Sequence, residues 1–112
     1  MPRHAVIADS LAGQGMIAVV DNTDEAIKLA NLYAPEHLSL MVDKAAAYVG
    51  KVTNAGAVFV GADSAVVVGD YVAGPSHVLP TGATARFGSP LSVLSFVKII
   101  NVVSLSQPIV GP

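Results

Sequence analysis

Apolar and polar positions along this chain switch repeatedly between a helical period and the short runs typical of strands. Arg3 to Leu11 carries a weak helical pattern that Gly13 and Gly15 end. Met16 to Val20 is a short, partly β-branched apolar run, which predicts a buried strand. Asn22-Thr23-Asp24-Glu25 then reads as a helix start. Asn22 can cap, Glu25 stands three residues on, and two acids lie near the positive end of the helix dipole. Ile27, Ala30 and Ala34 continue it as an apolar stripe, and Pro35 closes it, because the residue before proline avoids the helical region. Leu38, Leu40 and Val42 alternate with Ser39 and Met41, which predicts a strand. Asp43 is placed to cap a short helix through Ala45, Ala46 and Val49, stopped by Asn54 and Gly56. Ala57-Val58-Phe59-Val60 is a second strand run, ended by Gly61. Ser92 to Ile99 reads as helix, with Ser89 or Ser92 as cap and Pro90 near its first turn. Val102, Val103 and Leu105 read as a last strand, and 107–112 as a frayed end or linker.

Strands separated by helices favour an α/β domain with a mostly parallel sheet. No internal repeat and no composition shift divides the chain, so 1–112 is expected to be a single α/β domain. One segment breaks the rhythm. Residues 69–90, GDYVAGPSHVLPTGATARFGSP, hold four glycines and three prolines. A loop longer than about 12–15 residues inside a compact domain is usually functional or disordered. Val78, Leu79, Phe87 and Tyr71 make this one unlike a disordered linker. It is expected to be a binding loop.

Composition sharpens this picture. Apolar residues make up 53% of the chain and charged residues only 12%, against about 25% charged in an average soluble domain. Much of such a surface is expected to be covered by other domains or subunits. A membrane is not the expected cover, because no run approaches the roughly 18–20 apolar residues of a spanning helix. The most apolar window, 93–105, is broken by Ser95, Lys98, Asn101 and Ser104. No positively charged lead followed by an apolar run and a cleavage site is seen, so secretion is not expected. Net charge is −2, and no Lys or Arg lies between Val52 and Ala85, which argues against a nucleic-acid partner. Cysteine is absent, which removes disulfides and thiolate chemistry and fits a cytoplasmic protein.

Few residues can carry chemistry. Glutamate occurs only at positions 25 and 36. Glu25 is explained by the helix start, whereas Glu36 follows Pro35 at the helix-to-strand crossing and sits beside His37. A carboxylate and an imidazole side by side can divide proton transfers between them; a solvated Glu with a backbone-bonded His is the plainer alternative. Asp70 can supply a carboxylate to zinc or cap a turn. His77, in the same loop, can ligate, shuttle protons or hold a substrate carboxylate, or simply bond a nearby carbonyl. Arg86, the loop's only Lys or Arg, can bind an anion or pair with Asp70 or Asp63. His4 has no evident role. Gly13-Gln14-Gly15 is not a dinucleotide loop, because it precedes a strand and lacks the third glycine. Spacing alone does not bring His37, Asp70 and His77 together.

Taken together, DEAIKLAN at 24–31, APEHLSL at 34–40, NAGAVFVG at 54–61 and GDYVAGPSHVLPTGATARFGSPLSV at 69–93 resemble the histidinol dehydrogenase family, in order and at similar spacing. The likeness spans essentially this whole chain but a minor, internal part of the family's length. It implies an incomplete Rossmann-like sheet within a larger catalytic architecture. It also implies NAD-dependent oxidation of L-histidinol through an aldehyde to L-histidine, with zinc holding the substrate. By this resemblance Glu36 and His37 correspond to the catalytic pair. His37 would be the base that takes the hydroxyl proton, and Glu36 would activate water at the aldehyde stage. Asp70 corresponds to a zinc ligand that also touches substrate, and His77 lies in the matching substrate loop.

The resemblance further implies a homodimer, with the other zinc ligands and the NAD-binding domain in parts of the family absent from these 112 residues. The chain is therefore expected to be a segment that is inactive alone. Residues 62–68 are more apolar than the family usually shows before Gly69. The rival expectation is a naturally short relative that kept the fold, lost the chemistry and serves as a binding module.

Overall fold

The computed structural model describes residues 3–106. Helix α1 (His4–Gln14) comes first, followed by α2 (Thr23–Tyr33), strand β1 (His37–Leu40), a 3-10 turn (Ala45–Lys51), strand β2 (Ala57–Val60) and helix α3 (Val66–Tyr71). Two further 3-10 turns, Thr84–Arg86 and Val93–Phe96, complete the regular structure. The architecture is α/β: helices around a two-stranded parallel sheet, with His37 opposite Ala57 and Leu40 opposite Val60.

Helix α2 forms for the reasons its sequence announces. The Asn22 side chain accepts the Glu25 N–H at 3.0 Å, and the Glu25 carboxylate reaches back to the Asp21 N–H at 3.2 Å. Both satisfy donors that a helix start leaves unpaired. At the other end Ala34 takes a left-handed conformation, φ 54°, and its N–H closes on the Ala30 carbonyl at 2.8 Å. This sharp exit ahead of Pro35 turns the chain directly into β1.

The sheet has two unlike faces, because side chains alternate along a strand. Leu38, Leu40, Val58 and Val60 pack with Ile27 of α2 and with Ala45, Tyr48 and Val52 of the crossover. That is the core. His37, Ser39, Ala57 and Phe59 stand on the other face. Asn31 of α2 ties the crossover to the helix. Its side-chain amide donates to the Lys51 carbonyl at 2.9 Å and accepts from the N–H groups of Thr53 at 2.8 Å and Asn54 at 3.2 Å.

Several sequence expectations need correction. The helix expected at 3–11 runs to Gln14, so Gly13 lies inside it and Gly15 caps it. Met16–Val20 is not a strand. It runs beside α2 with Met16, Ala18 and Val20 lining an apolar cleft with Leu29 and Leu38, while Ile17 and Val19 are 94% and 95% exposed. An isolated run with no hydrogen-bonded neighbour cannot count as sheet, whatever its propensity. The same holds for Val102–Leu105, where every residue is exposed and none is paired. The strand expected through Val42 ends at Leu40. Asp43 caps nothing: Lys44, at φ 53°, precedes the 3-10 turn without a side-chain cap. The helix expected at 92–99 shortens to Val93–Phe96, which buries no residue and so has no packing to extend it. Segment 69–90 is not one uninterrupted loop, since its first residues complete α3 and 84–86 form a 3-10 turn. The expected tail at 107–112 lies outside the described residues.

Candidate functional site

The candidate residues gather at the face of the sheet opposite the core. Pro35 and the left-handed turn at Ala34 deliver Glu36 and His37 to the start of β1. Their backbone is held by β2: the Gly56 N–H donates to the Pro35 carbonyl at 2.9 Å, and the Ala57 N–H to the Glu36 carbonyl at 2.8 Å. Gly56 is required there for space. A Cβ on it would lie 2.6 Å from the Glu36 carbonyl oxygen and 3.2 Å from Cδ of Pro80. Pro80, buried, brings the long loop against the same point.

Asp70 reaches the site from α3, whose preceding residues are the apolar stretch Val66-Val67-Val68. Gly69 lets α3 come close: a Cβ there would lie 2.5 Å from Cε1 of Phe59. The Phe59 ring in turn stacks on the His37 imidazole, with centroids 6.0 Å apart and planes 27° apart. His77 follows in the loop, and the Leu91 N–H to Val78 carbonyl bond, 2.9 Å, closes that loop behind it.

Glu36, His37, Asp70, Tyr71 and His77 thus surround one pocket of about 280 Å³. The His37 ring stands between two carboxylates, with Nδ1 3.9 Å from Oε1 of Glu36 and Nε2 3.8 Å from Oδ1 of Asp70. Both distances exceed hydrogen-bond reach. Nε2 is shielded from solvent and has no hydrogen-bond partner among the described residues. The side chains of His37, Glu36 and Asp70 are 29%, 40% and 32% exposed, so the site is half-buried and open on one side. An imidazole placed this way can take a proton from a bound hydroxyl. The carboxylate beside it can orient water or a cationic group.

All four residues singled out in the sequence therefore meet. Arg86 does not join them. It pairs with neither Asp70 nor Asp63; its guanidinium donates to the carbonyls of Leu32 and Ala83, pinning the loop to the end of α2. Sequence reading missed Tyr71 as a pocket residue, although it adjoins Asp70, and missed Phe59 altogether. The period-2 alternation of β2 could have placed Phe59 on the His37 face once the register was known.

A zinc centre does not fit on these residues alone. No group of three or more His, Cys, Asp or Glu side chains able to hold a metal occurs among the described residues, and zinc takes about four ligands. No helix among them is long and apolar enough to cross a membrane.

Comparison with known proteins gives one consistent result. The sequence model of the family described as Histidinol dehydrogenase matches residues 1–110. Histidinol dehydrogenase of Dehalococcoides mccartyi strain 195 is 56% identical over 105 residues, which is 94% of this chain and 24% of that protein. The enzyme of Caldanaerobacter subterraneus subsp. tengcongensis is 52% identical over 107 residues, 96% of this chain and 25% of its own length. The crystal structure of histidinol dehydrogenase from Elizabethkingia anophelis superposes with a TM-score of 0.69 at 45% identity, covering 71% of this chain and 18% of that one. The chain spans about a quarter of the length of the curated relatives it matches. Its motifs, its parallel α/β core and these matches agree, and the chain belongs to the histidinol dehydrogenase family.

Proposed function

We propose that this chain carries the proton-transfer part of an enzyme that oxidises L-histidinol to L-histidine in two NAD-dependent steps. The observation that carries this reading is the His37 imidazole between the Glu36 and Asp70 carboxylates, at the rim of a pocket that His77 also lines. His37 takes the substrate's hydroxyl proton as hydride leaves the neighbouring carbon for the dinucleotide, which supplies the redox chemistry. The product of that step is an aldehyde. Glu36 then orients and deprotonates water for attack on it, and a second hydride transfer yields the carboxylate. His77, at the open side, meets the substrate's polar end. Asp70 holds the substrate from the α3 side and would contribute one oxygen to a zinc ion. The donors that complete such a centre lie outside these residues, and no step is assigned to the metal.

A homodimer and a cytoplasmic location follow the family resemblance and belong to the same proposal. So does the treatment of 1–112 as one α/β unit with 69–90 as its active-site segment. As an isolated 112-residue polypeptide the chain is expected to turn over no histidinol and to take up zinc weakly. Tight, stoichiometric uptake in a calorimetric titration would contradict that. The function itself is tested in the protein at its native length by Glu36→Gln and His37→Asn. Each should lower kcat by about 10²–10⁴-fold. Glu36→Gln should slow oxidation of supplied histidinaldehyde more than oxidation of histidinol, and equal loss in both stages would remove Glu36 from the water step.

A further inference from the structure

Resting on that reading, the geometry points to Phe59 as the positioning residue that sets the separation between His37 and Asp70. Phe59 meets both arms of the site. On one side its ring stacks on the His37 imidazole, 6.0 Å between centroids. On the other its edge lies so close to Gly69 that a Cβ there would sit 2.5 Å from Cε1 and 2.8 Å from Cζ. Gly69 is the residue immediately before Asp70, and it is buried within α3. One rigid ring therefore separates the strand that carries the imidazole from the helix that carries the carboxylate.

The strand register explains why position 59 does this. Phe59 lies opposite Ser39, two places along from the His37–Ala57 pair and on the same face of the sheet. Diagonal neighbours on one face are within reach of an aromatic ring. Residue 57 is alanine, so nothing bulky stands directly across from His37 and the imidazole can lean toward Phe59. Among the described residues His37 has no hydrogen bond from either ring nitrogen to hold its plane: Nδ1 and Nε2 are 3.9 and 3.8 Å from their carboxylates. The stack is the contact that orients it. Gly69 completes the arrangement, because a side chain there would force the Phe59 ring or α3 to shift and so change the separation that the ring sets.

The consequence is catalytic, because misplacing reacting groups by about 1 Å costs up to about 100-fold in rate. Phe59→Leu removes the ring and keeps an apolar side chain. Gly69→Ala keeps the ring and displaces it. Val58→Ala, on the opposite face of the same strand among the core residues, is the control for general loosening. In the protein at its native length, Phe59→Leu and Gly69→Ala should each lower kcat for histidinol by about 10- to 100-fold with KM changed less than about twofold. The ring-proton NMR signals of His37 should move downfield in Phe59→Leu as the stack is lost. Val58→Ala should lower the melting temperature while leaving kcat and the His37 signals in place. Unchanged His37 signals in Phe59→Leu overturn the proposal. A Val58→Ala variant that reproduces the kcat loss overturns it equally, since the effect would then be general. Should the His37 signals move while the unmutated protein turns over no histidinol, the functional reading falls and the positioning role of Phe59 is supported.

Discussion

Ala34 and Gly56 show how single residues build the site. Ala34 adopts a left-handed conformation that non-glycine residues seldom take, and it is only 1% exposed. Packing around the methyl group holds the turn that ends α2 and aims Glu36 and His37 into the sheet. Gly56 lies against the Glu36 carbonyl and Pro80 with no room for a methyl group. Gly56→Ala is expected to cost about 1–3 kcal/mol, the usual penalty of overpacking a filled site. It should also shift the Glu36 backbone, which chemical denaturation and the amide signals of 36 and 57 would reveal. A surface residue gives a pH signature. Lys51 donates to the Asp24 carboxylate at 2.5 Å, and that hydrogen bond, with the carboxylate's charge, holds the ammonium above its usual 10.5 despite some loss of solvent. A raised folded-state value means the pair's contribution is whole below pH 10.5 and is lost as pH climbs through the folded value. Thermal melts of Lys51→Met should therefore lack the extra alkaline loss of stability seen in the parent.

At the scale of elements, α2 is the organiser. Its start is capped by Asn22, and Asn22→Ala should cost about 1 kcal/mol in a denaturation titration. Its middle grips the crossover through Asn31, whose amide makes three bonds to residues 51, 53 and 54. Its end receives Arg86 from the long loop. Asn31→Ala should cost about 1–3 kcal/mol, because backbone groups of the crossover lose their partner. Hydrogen exchange should then speed up at Thr53 and Asn54. Capping could be read from Asn22 and Glu25 because the interaction is local. The Asn31 clamp could not, since its partners lie twenty or more residues away. Arg86 misled for the same reason: charge suggested an acidic partner, whereas the fold offers it carbonyls at a helix end, where a cation is equally welcome.

The whole molecule is elongated. Its radius of gyration is 20.4 Å, against about 13 Å for a compact chain of about 100 residues. Helix α1 and residues 97–106 bury nothing, and Ile17, Val19, Ile99 and Val102 are among the large apolar residues left more than four-fifths exposed. Exposed apolar surface on this scale marks an interaction site or an association hazard. The isolated polypeptide is expected to self-associate, which sedimentation velocity across a concentration series would detect as a rising weight-average mass. Low charge content announced this, since too few charged residues exist to cover the chain.

Local order was settled by the residues themselves. The α2 start, the two paired strands, the helix-to-strand crossing at Pro35 and the identities of Glu36, His37, Asp70 and His77 all follow from neighbours within a few positions or from motif. Three things belonged to the tertiary structure alone. It decided which apolar runs became strands, because a strand exists only when another supplies hydrogen bonds, and Met16–Val20 and Val102–Leu105 have no such partner among the described residues. It brought Asp70 and His77, more than thirty residues from His37, to one pocket. And it set a phenylalanine between strand and helix, because register and close approach are relations between segments that no single stretch of sequence contains.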